Sequence, residues 1–332
     1  MEIKNIDKLN MRGVIVASPE QLTRGLELAK NIKIKGEFKN VIICGIGGSA
    51  LPANILDATV TTKIPLYIHR DYDLPASANE DSLIVCISYS GNTEETVSAL
   101  EKAIHKNITA VAITTGGKLE KMCEEHNIAL AKIPAGIQPR SATGYLFSAL
   151  STILNNCGII DDISEDILNT AEELEKINSN LEKEGKALAK KLADKIPVVY
   201  ASNNFKVASR IWKIKFNENS KIPAFHNYFP ELNHNEMVGF TDKKMASGFY
   251  VLIIKDKKDH ERTLKRMDLT SLILKKKGIK NSFIETVDGS IILKFFEILL
   301  LGDWTSYYIA INNKIDPTPV EMVEEFKVML NK

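Results

Sequence analysis

Three hydroxyls and a glycine carry the clearest chemistry in this chain. They lie in Val85-Cys-Ile-Ser-Tyr-Ser-Gly-Asn-Thr-Glu-Glu-Thr96, where an apolar run ends in Ser88, Ser90, Gly91 and Thr93 and then opens into a helical pattern. Ser88, Ser90 and Thr93 offer hydroxyl donors, Gly91 permits a tight backbone turn, and the first amides of a following helix have no intrahelical acceptor. Such a loop suits an anion, phosphate above all. An ordinary capped strand-to-helix turn has the same composition. A second loop, Val41-Ile-Ile-Cys-Gly-Ile-Gly-Gly-Ser-Ala50, also runs from an apolar strand into small residues and a hydroxyl. Two strand ends of this type can converge on one small anionic ligand.

The elements that must hold these loops follow from periodicity. Apolar β-branched runs at 40–45, 65–69, 83–87, 108–113 and 128–133 alternate with amphipathic stretches at 50–60, 93–106, 117–126 and 141–157. This is the rhythm of a parallel sheet covered by helices. Residues 161–194 carry Leu and Ile at helical spacing among Glu and Lys, which predicts one long helix joining two halves. A second alternating series follows, with strands at Pro197–Ala201, Phe249–Ile254 and Ser282–Thr286 and helices near 204–219, 259–277, 291–312 and 319–330. The expected fold is α/β, two doubly wound domains, 1–155 and 156–332, with residues 1–25 a short appendage. Ligands of such sheets bind at the carboxyl ends of the strands, where both hydroxyl-rich loops fall.

Composition narrows the partners. The 332 residues are 44% hydrophobic and carry a formal net charge of +1, which favours neither nucleic acid nor an anionic membrane. The four cysteines lie far apart, two of them in strand-like runs where a buried, reduced thiol is the default. The amino terminus lacks the apolar core of a signal peptide, and no stretch approaches the roughly 18 apolar residues of a membrane span, so a cytoplasmic setting is expected.

Gly45-Ile-Gly-Gly-Ser-Ala50 also fits a loose dinucleotide pattern. A nicotinamide enzyme would want an acidic residue at the end of the second strand; Asp71 and Asp73 are available, but His69 and Arg70 crowd that end.

Taken together the two loops resemble the sugar isomerase domain. Four further segments sharpen the resemblance: Gln138-Pro-Arg-Ser-Ala-Thr-Gly-Tyr145, Lys215-Phe-Asn-Glu-Asn-Ser-Lys-Ile-Pro223, Phe229-Pro-Glu-Leu-Asn-His-Asn-Glu-Met237 and Asp316-Pro-Thr-Pro-Val320. They are similar to the bifunctional phosphoglucose/phosphomannose isomerase family, from about residue 40 to the carboxyl end. The resemblance implies two sugar isomerase domains, a homodimer, no metal or organic cofactor, and interconversion of glucose 6-phosphate and mannose 6-phosphate with fructose 6-phosphate through a cis-enediol. It implies that Gly48, Ser49, Ser88, Ser90 and Thr93 hold the sugar phosphate and that Arg140 lies beside the reacting carbons. It assigns Glu218 as the base between C1 and C2, His234 as the ring opener supplied by the neighbouring subunit, Lys327 as the family's C-terminal lysine, and Thr318 as the hydroxyl near C2 associated with accepting both epimers.

The residue types suit those roles. Isomerisation needs acid/base transfer between O1 and O5, then a proton moved from one carbon to the next. A partly buried Glu218 serves the second step, a fixed guanidinium stabilises the enediolate, and an imidazole titrates in the range that ring opening needs. Taken singly, Glu218 reads as a surface ion-pair partner among Lys213, Lys215 and Lys221, and His234 as a surface histidine. Three rival readings remain at this level. Glu231, His234 and Glu236 could ligate zinc, although Pro230 and two Asn argue for a loop and a further clear ligand is lacking. A phosphosugar sensor would keep the hydroxyl cradle without needing Glu218 or His234. An isomerase limited to glucose 6-phosphate would differ only near Thr318.

Overall fold

The computed structural model describes residues 3–330. After α1 (Met11–Val16) and α2 (Ser18–Ala29), the chain alternates strand and helix through β1 (Asn40–Cys44), α3 (Leu51–Thr59), β2 (Leu66–His69), β3 (Ser82–Ser88), α4 (Glu94–His105), β4 (Ala110–Thr114), α5 (Gly117–Glu125), β5 (Ala129–Lys132) and α6 (Thr143–Asn156). The long α7 (Ser164–Lys191) leads to β6 (Ile196–Ser202), α8 (Lys206–Glu218), β7 (Phe225–Phe229), α9 (Lys243–Ala246), β8 (Phe249–Lys255), α10 (Glu261–Lys276), β9 (Lys280–Glu285), α11 (Ile291–Asn312) and α12 (Glu321–Leu330). Two compact units result. The amino-terminal unit comprises Ala17–Glu175 and Ser290–Leu293; the carboxy-terminal unit comprises the stretch before Ala17, Lys176–Gly289 and the chain from Lys294 onward.

Every strand pairing is parallel. In the amino-terminal unit the order is β2-β1-β3-β4-β5, and in the carboxy-terminal unit β7-β6-β8-β9. A strand covered on both faces must be apolar throughout, and central β3 is buried along its whole length. Register sets Cys44 of β1 beside Cys86 of β3. Those two thiols and Cys123 lie in one apolar cluster, where burial pushes Cys123 up to about 11 and keeps it an unreactive thiol.

Residues 18–29 are not part of an appendage. Helix α2 packs on α6, where a Cβ at Gly25 would lie 2.7 Å from Ser148 Cβ and from the Tyr145 carbonyl, and one at Gly144 would lie 2.8 Å from Gln21 Cβ. Two glycines thus let the helices approach closely, and Leu22 of α2 is buried. Strand β7 has no counterpart in the expected pattern, because Phe-His-Asn-Tyr-Phe is an edge strand with polar residues at its centre. In the carboxy-terminal unit α11 is apolar on nearly every side. It docks on α8 through Trp212, whose Nε1 donates to the Ile298 carbonyl at 2.8 Å. No helix among the described residues is long and apolar enough to cross a membrane.

Candidate active site

In the amino-terminal unit the β3–α4 turn is organised by one hydroxyl. Ser88 Oγ lies 2.8 Å from Thr93 Oγ1 and accepts the Gly91 amide at 3.1 Å. Gly91 has φ +69°, and a Cβ there would fall 1.7 Å from the Gly116 carbonyl oxygen, so no other residue fits. Asn92 braces the far side by accepting the Lys118 amide at 3.1 Å. Ser90 is exposed at the tip and Thr93 half-buried at the start of α4, whose first turn also carries Glu94 and Glu95. Glu94 accepts the Tyr72 hydroxyl at 3.1 Å.

The second hydroxyl loop meets the first. Ser49 Oγ accepts the Tyr89 amide at 3.0 Å, which joins the β1 and β3 ends directly. Gly48 then abuts the turn Pro139–Ser141: a Cβ on it would lie 2.7 Å from the Arg140 nitrogen. Arg140 is only 2% exposed and its Nη1 donates to Gln138 Oε1 at 3.2 Å. Gly48, Ser49, Ser88, Thr93 and Arg140 therefore belong to one strand-end assembly, with Ser90 at its rim. Tyr89, which sequence reasoning passed over, ties it together. Its hydroxyl donates to the Pro134 carbonyl at 3.0 Å and accepts the Ile137 amide at 3.2 Å, while its own carbonyl accepts the Thr115 hydroxyl at 2.8 Å. Burial pushes the Tyr89 phenol above its usual value, so it stays a donor. The available signal was its place between two serines at the end of a buried strand.

In the carboxy-terminal unit Glu218 closes α8 and is half-buried. The turn after it is fixed to α11. Asn219 Nδ2 donates to Ser306 Oγ at 3.0 Å, the Ser220 hydroxyl donates to the Ser306 carbonyl at 2.7 Å, and buried Lys215 pairs with Asp303. Lys221, at φ +57°, donates its ammonium to the Glu218 carbonyl and, at 3.2 Å, to the Pro317 carbonyl. That lysine ties the Glu218 turn to the segment bearing Thr318, which is 6% exposed and whose amide donates to Asp316 Oδ1 at 3.0 Å. Lys221 is the second residue the sequence reading passed over, lost among surface lysines.

His234 and Lys327 are placed differently. His234 is exposed between the single turns Glu231–Asn233 and Glu236–Phe240. Lys327 is exposed on α12 and pairs with Glu324 at 2.8 Å. Around His234 the carboxylates named as zinc ligands are already engaged: Glu231 Oε1 accepts Asn235 Nδ2 at 2.8 Å, and Glu236 accepts both the Tyr200 hydroxyl and the Asn227 amide. No group of three or more metal-ligating side chains occurs among the described residues.

The comparisons with known proteins point the same way as these motifs. Residues 37–152 match the SIS domain family, and residues 181–330 match the family described as bacterial phospho-glucose isomerase C-terminal SIS domain. A bifunctional phosphoglucose/phosphomannose isomerase of Caldicellulosiruptor bescii is 37% identical over 93% of this chain and 95% of its own. A D-glucosamine-6-phosphate 4-epimerase of Sulfolobus acidocaldarius is 30% identical over 65% of this chain and 68% of its own. The crystal structure of a hypothetical protein from Thermus thermophilus shares the fold, with a TM-score of 0.75 at 15% identity over 99% of this chain and 94% of that one. The chain belongs to the bifunctional phosphoglucose/phosphomannose isomerase family.

Proposed function

We propose that this protein is an aldose–ketose isomerase that interconverts glucose 6-phosphate and mannose 6-phosphate with fructose 6-phosphate through a cis-enediol. The observation that carries the reading is the junction of the two hydroxyl loops through Ser49 and Tyr89, with Arg140 packed against Gly48. Hydroxyls and helix-start amides at Gly48, Ser49, Ser88, Ser90 and Thr93 bind the phosphate. Held there, far from the reacting carbons, the phosphate fixes the opened sugar in register.

In this reading His234 transfers the proton between O1 and O5 that opens the ring. Glu218 then takes the proton from C2 and returns it at C1, so the C–H electrons become the enediolate double bond while the carbonyl oxygen gains charge. Arg140 stabilises that charge, because a guanidinium stays cationic when desolvated. Lys327 assists as a further cation, and Thr318 contacts the sugar near C2, where glucose and mannose differ. The lysine bridge from the Glu218 turn to Pro317 supports placing Thr318 with the base. No metal or organic cofactor is required by this chemistry.

A second copy of the chain supplies His234. Helix α12 supports a dimer: Met322, Val323, Phe326 and Met329 form an exposed apolar stripe, with Met322 84% exposed. The test is a coupled assay of fructose 6-phosphate formation from each aldose phosphate in EDTA, with wild type beside Glu218→Gln. The reading expects turnover of both sugars and a loss of roughly 10²–10⁴-fold in the variant, the usual range for a missing general base. Activity on glucose 6-phosphate alone would remove the role given to Thr318. Binding without turnover of either sugar would instead make the protein a phosphosugar sensor.

A further inference from the structure

The turn that carries His234 is held from both sides by side chains outside the six motifs. On one side Leu232 is fully buried and Asn233 Nδ2 donates to Thr270 Oγ1 of α10 at 2.9 Å. On the other side, two residues beyond His234, Glu236 accepts the Tyr200 hydroxyl at 2.6 Å through Oε1 and the Asn227 amide through Oε2. The sheet register creates this clamp. Tyr200 of β6 and Asn227 of β7 are direct partners in a parallel pair, so their side chains leave the same face as neighbours. Asn227 cannot swing away freely, because its Oδ1 accepts the Tyr228 amide at 2.8 Å. Tyr200 is fully buried, edge-on to Phe229 at 6.2 Å.

Backbone bonds carry the constraint to the histidine. The His234 amide donates to the Glu231 carbonyl at 3.0 Å, and Asn235 Oδ1 accepts the Glu236 amide at 2.6 Å while its Nδ2 reaches back to Glu231. His234 is thus an exposed residue on a short turn pinned at positions 232, 233 and 236. Burial, and then the adjacent Glu236, push the Tyr200 phenol well above its usual value, so it remains a hydrogen-bond donor at any working pH.

We propose that Glu236, clamped by Tyr200 and Asn227, is a positioning residue that fixes His234 for ring opening. The proposal rests on the ring-opening role given to His234 above. A carboxylate beside a histidine in sequence suggests a direct partner or a metal ligand; here its oxygens are turned to β6 and β7 and act on the turn's backbone. A misplacement of about 1 Å is enough to cost about 10²-fold in a proton transfer.

Ring opening can be read apart from isomerisation, because it interconverts the α and β anomers of glucose 6-phosphate without breaking the C2–H bond. The experiment measures enzyme-catalysed anomer exchange by NMR in a Glu218→Gln background, where isomerisation is suppressed, and KM for glucose 6-phosphate in the otherwise native enzyme. Glu236→Ala is expected to slow anomer exchange by about 10–100-fold, with KM changed less than about threefold. Tyr200→Phe, which keeps the packing on Phe229 and deletes one donor, is expected to slow exchange less, and Glu236→Gln, which can still accept the Tyr200 hydroxyl, to recover part of the loss. Anomer exchange at the parent rate in both Glu236→Ala and Tyr200→Phe overturns the proposal. Exchange that survives His234→Ala, or is absent from the parent, overturns the ring-opening role of His234 itself and the proposal with it.

Discussion

The carboxyl edges of the two sheets occupy the same topological place and carry opposite chemistry. In each unit the first strand lies between the second and the third, so the crevice beyond β1 and β3 corresponds to the one beyond β6 and β8. Beyond β1 and β3 the chain offers hydroxyls, amides and glycines, with Arg140 buried beside them. Beyond β6 and β8 it offers carboxylates. Asp256 accepts Lys294 through both oxygens at 2.7 Å, with the residues 4% and 1% exposed, and buried Asp259 accepts Asn204 Nδ2 at 3.2 Å. The buried cation at that edge, Lys294, is already paired with Asp256. Topology has been duplicated with different polar chemistry at the strand ends. One edge gathers hydroxyls and amides around a buried guanidinium, and the other is occupied by its own ion pair.

That contrast breaks most visibly at Lys294. Lys294→Met leaves the Asp256 carboxylate buried without its ammonium and should cost about 3–5 kcal/mol in urea unfolding. Adding Asp256→Leu should restore most of that loss, since an apolar pair can replace a buried ion pair at little cost. The next effect is in pH dependence and again belongs to the carboxy-terminal unit. Burial, then the charge of Glu184, push Glu297 up to about 8, against the opposing Val287 amide. Between its ordinary 4.5 and about 8 the folded chain holds a proton that the unfolded chain has released. The stability it confers is complete below the lower value and lost as pH rises through the upper one. Wild type should therefore lose roughly 3–5 kcal/mol more than Glu297→Gln over that window, measured by denaturant unfolding at stepped pH.

Much of this was legible in the sequence, for physical reasons that differ by element. Strands buried on both faces announce themselves as unbroken apolar runs, so β1, β3, β6 and β8 fell where expected. The hydroxyl loops were legible as strand-to-helix turns, because glycine and serine cluster where a buried strand gives way to a helix. Strand β7 was hidden: an edge strand needs only one buried end, and His226 and Asn227 at its centre read as a loop. Helix α2 was mistaken for part of an appendage because the signal for its packing is a pair of glycines 119 positions apart, Gly25 and Gly144, which no local pattern relates. Tyr89 and Lys221 escaped because each bonds backbone groups far along the chain, and Glu236 was weighed as a metal ligand because its partners, Tyr200 and Asn227, lie on other elements. The Asp256–Lys294 pair was illegible because its members lie 38 positions apart, while Lys257 and Lys258 offer Asp256 nearer cations in the sequence.

The smallest of the expected effects is the most direct test of which edge binds. Ser88→Ala removes the oxygen that gathers Thr93 and the Gly91 amide, a loss of about 1–3 kcal/mol, or roughly 5–150-fold in Kd. Calorimetric titration of fructose 6-phosphate into wild type, Ser88→Ala and the double variant Lys294→Met/Asp256→Leu should show that weakening for Ser88→Ala alone, with the double variant matching wild type. Unchanged affinity in Ser88→Ala together with weakened affinity in the double variant would place the ligand at the β6–β8 edge and contradict the account.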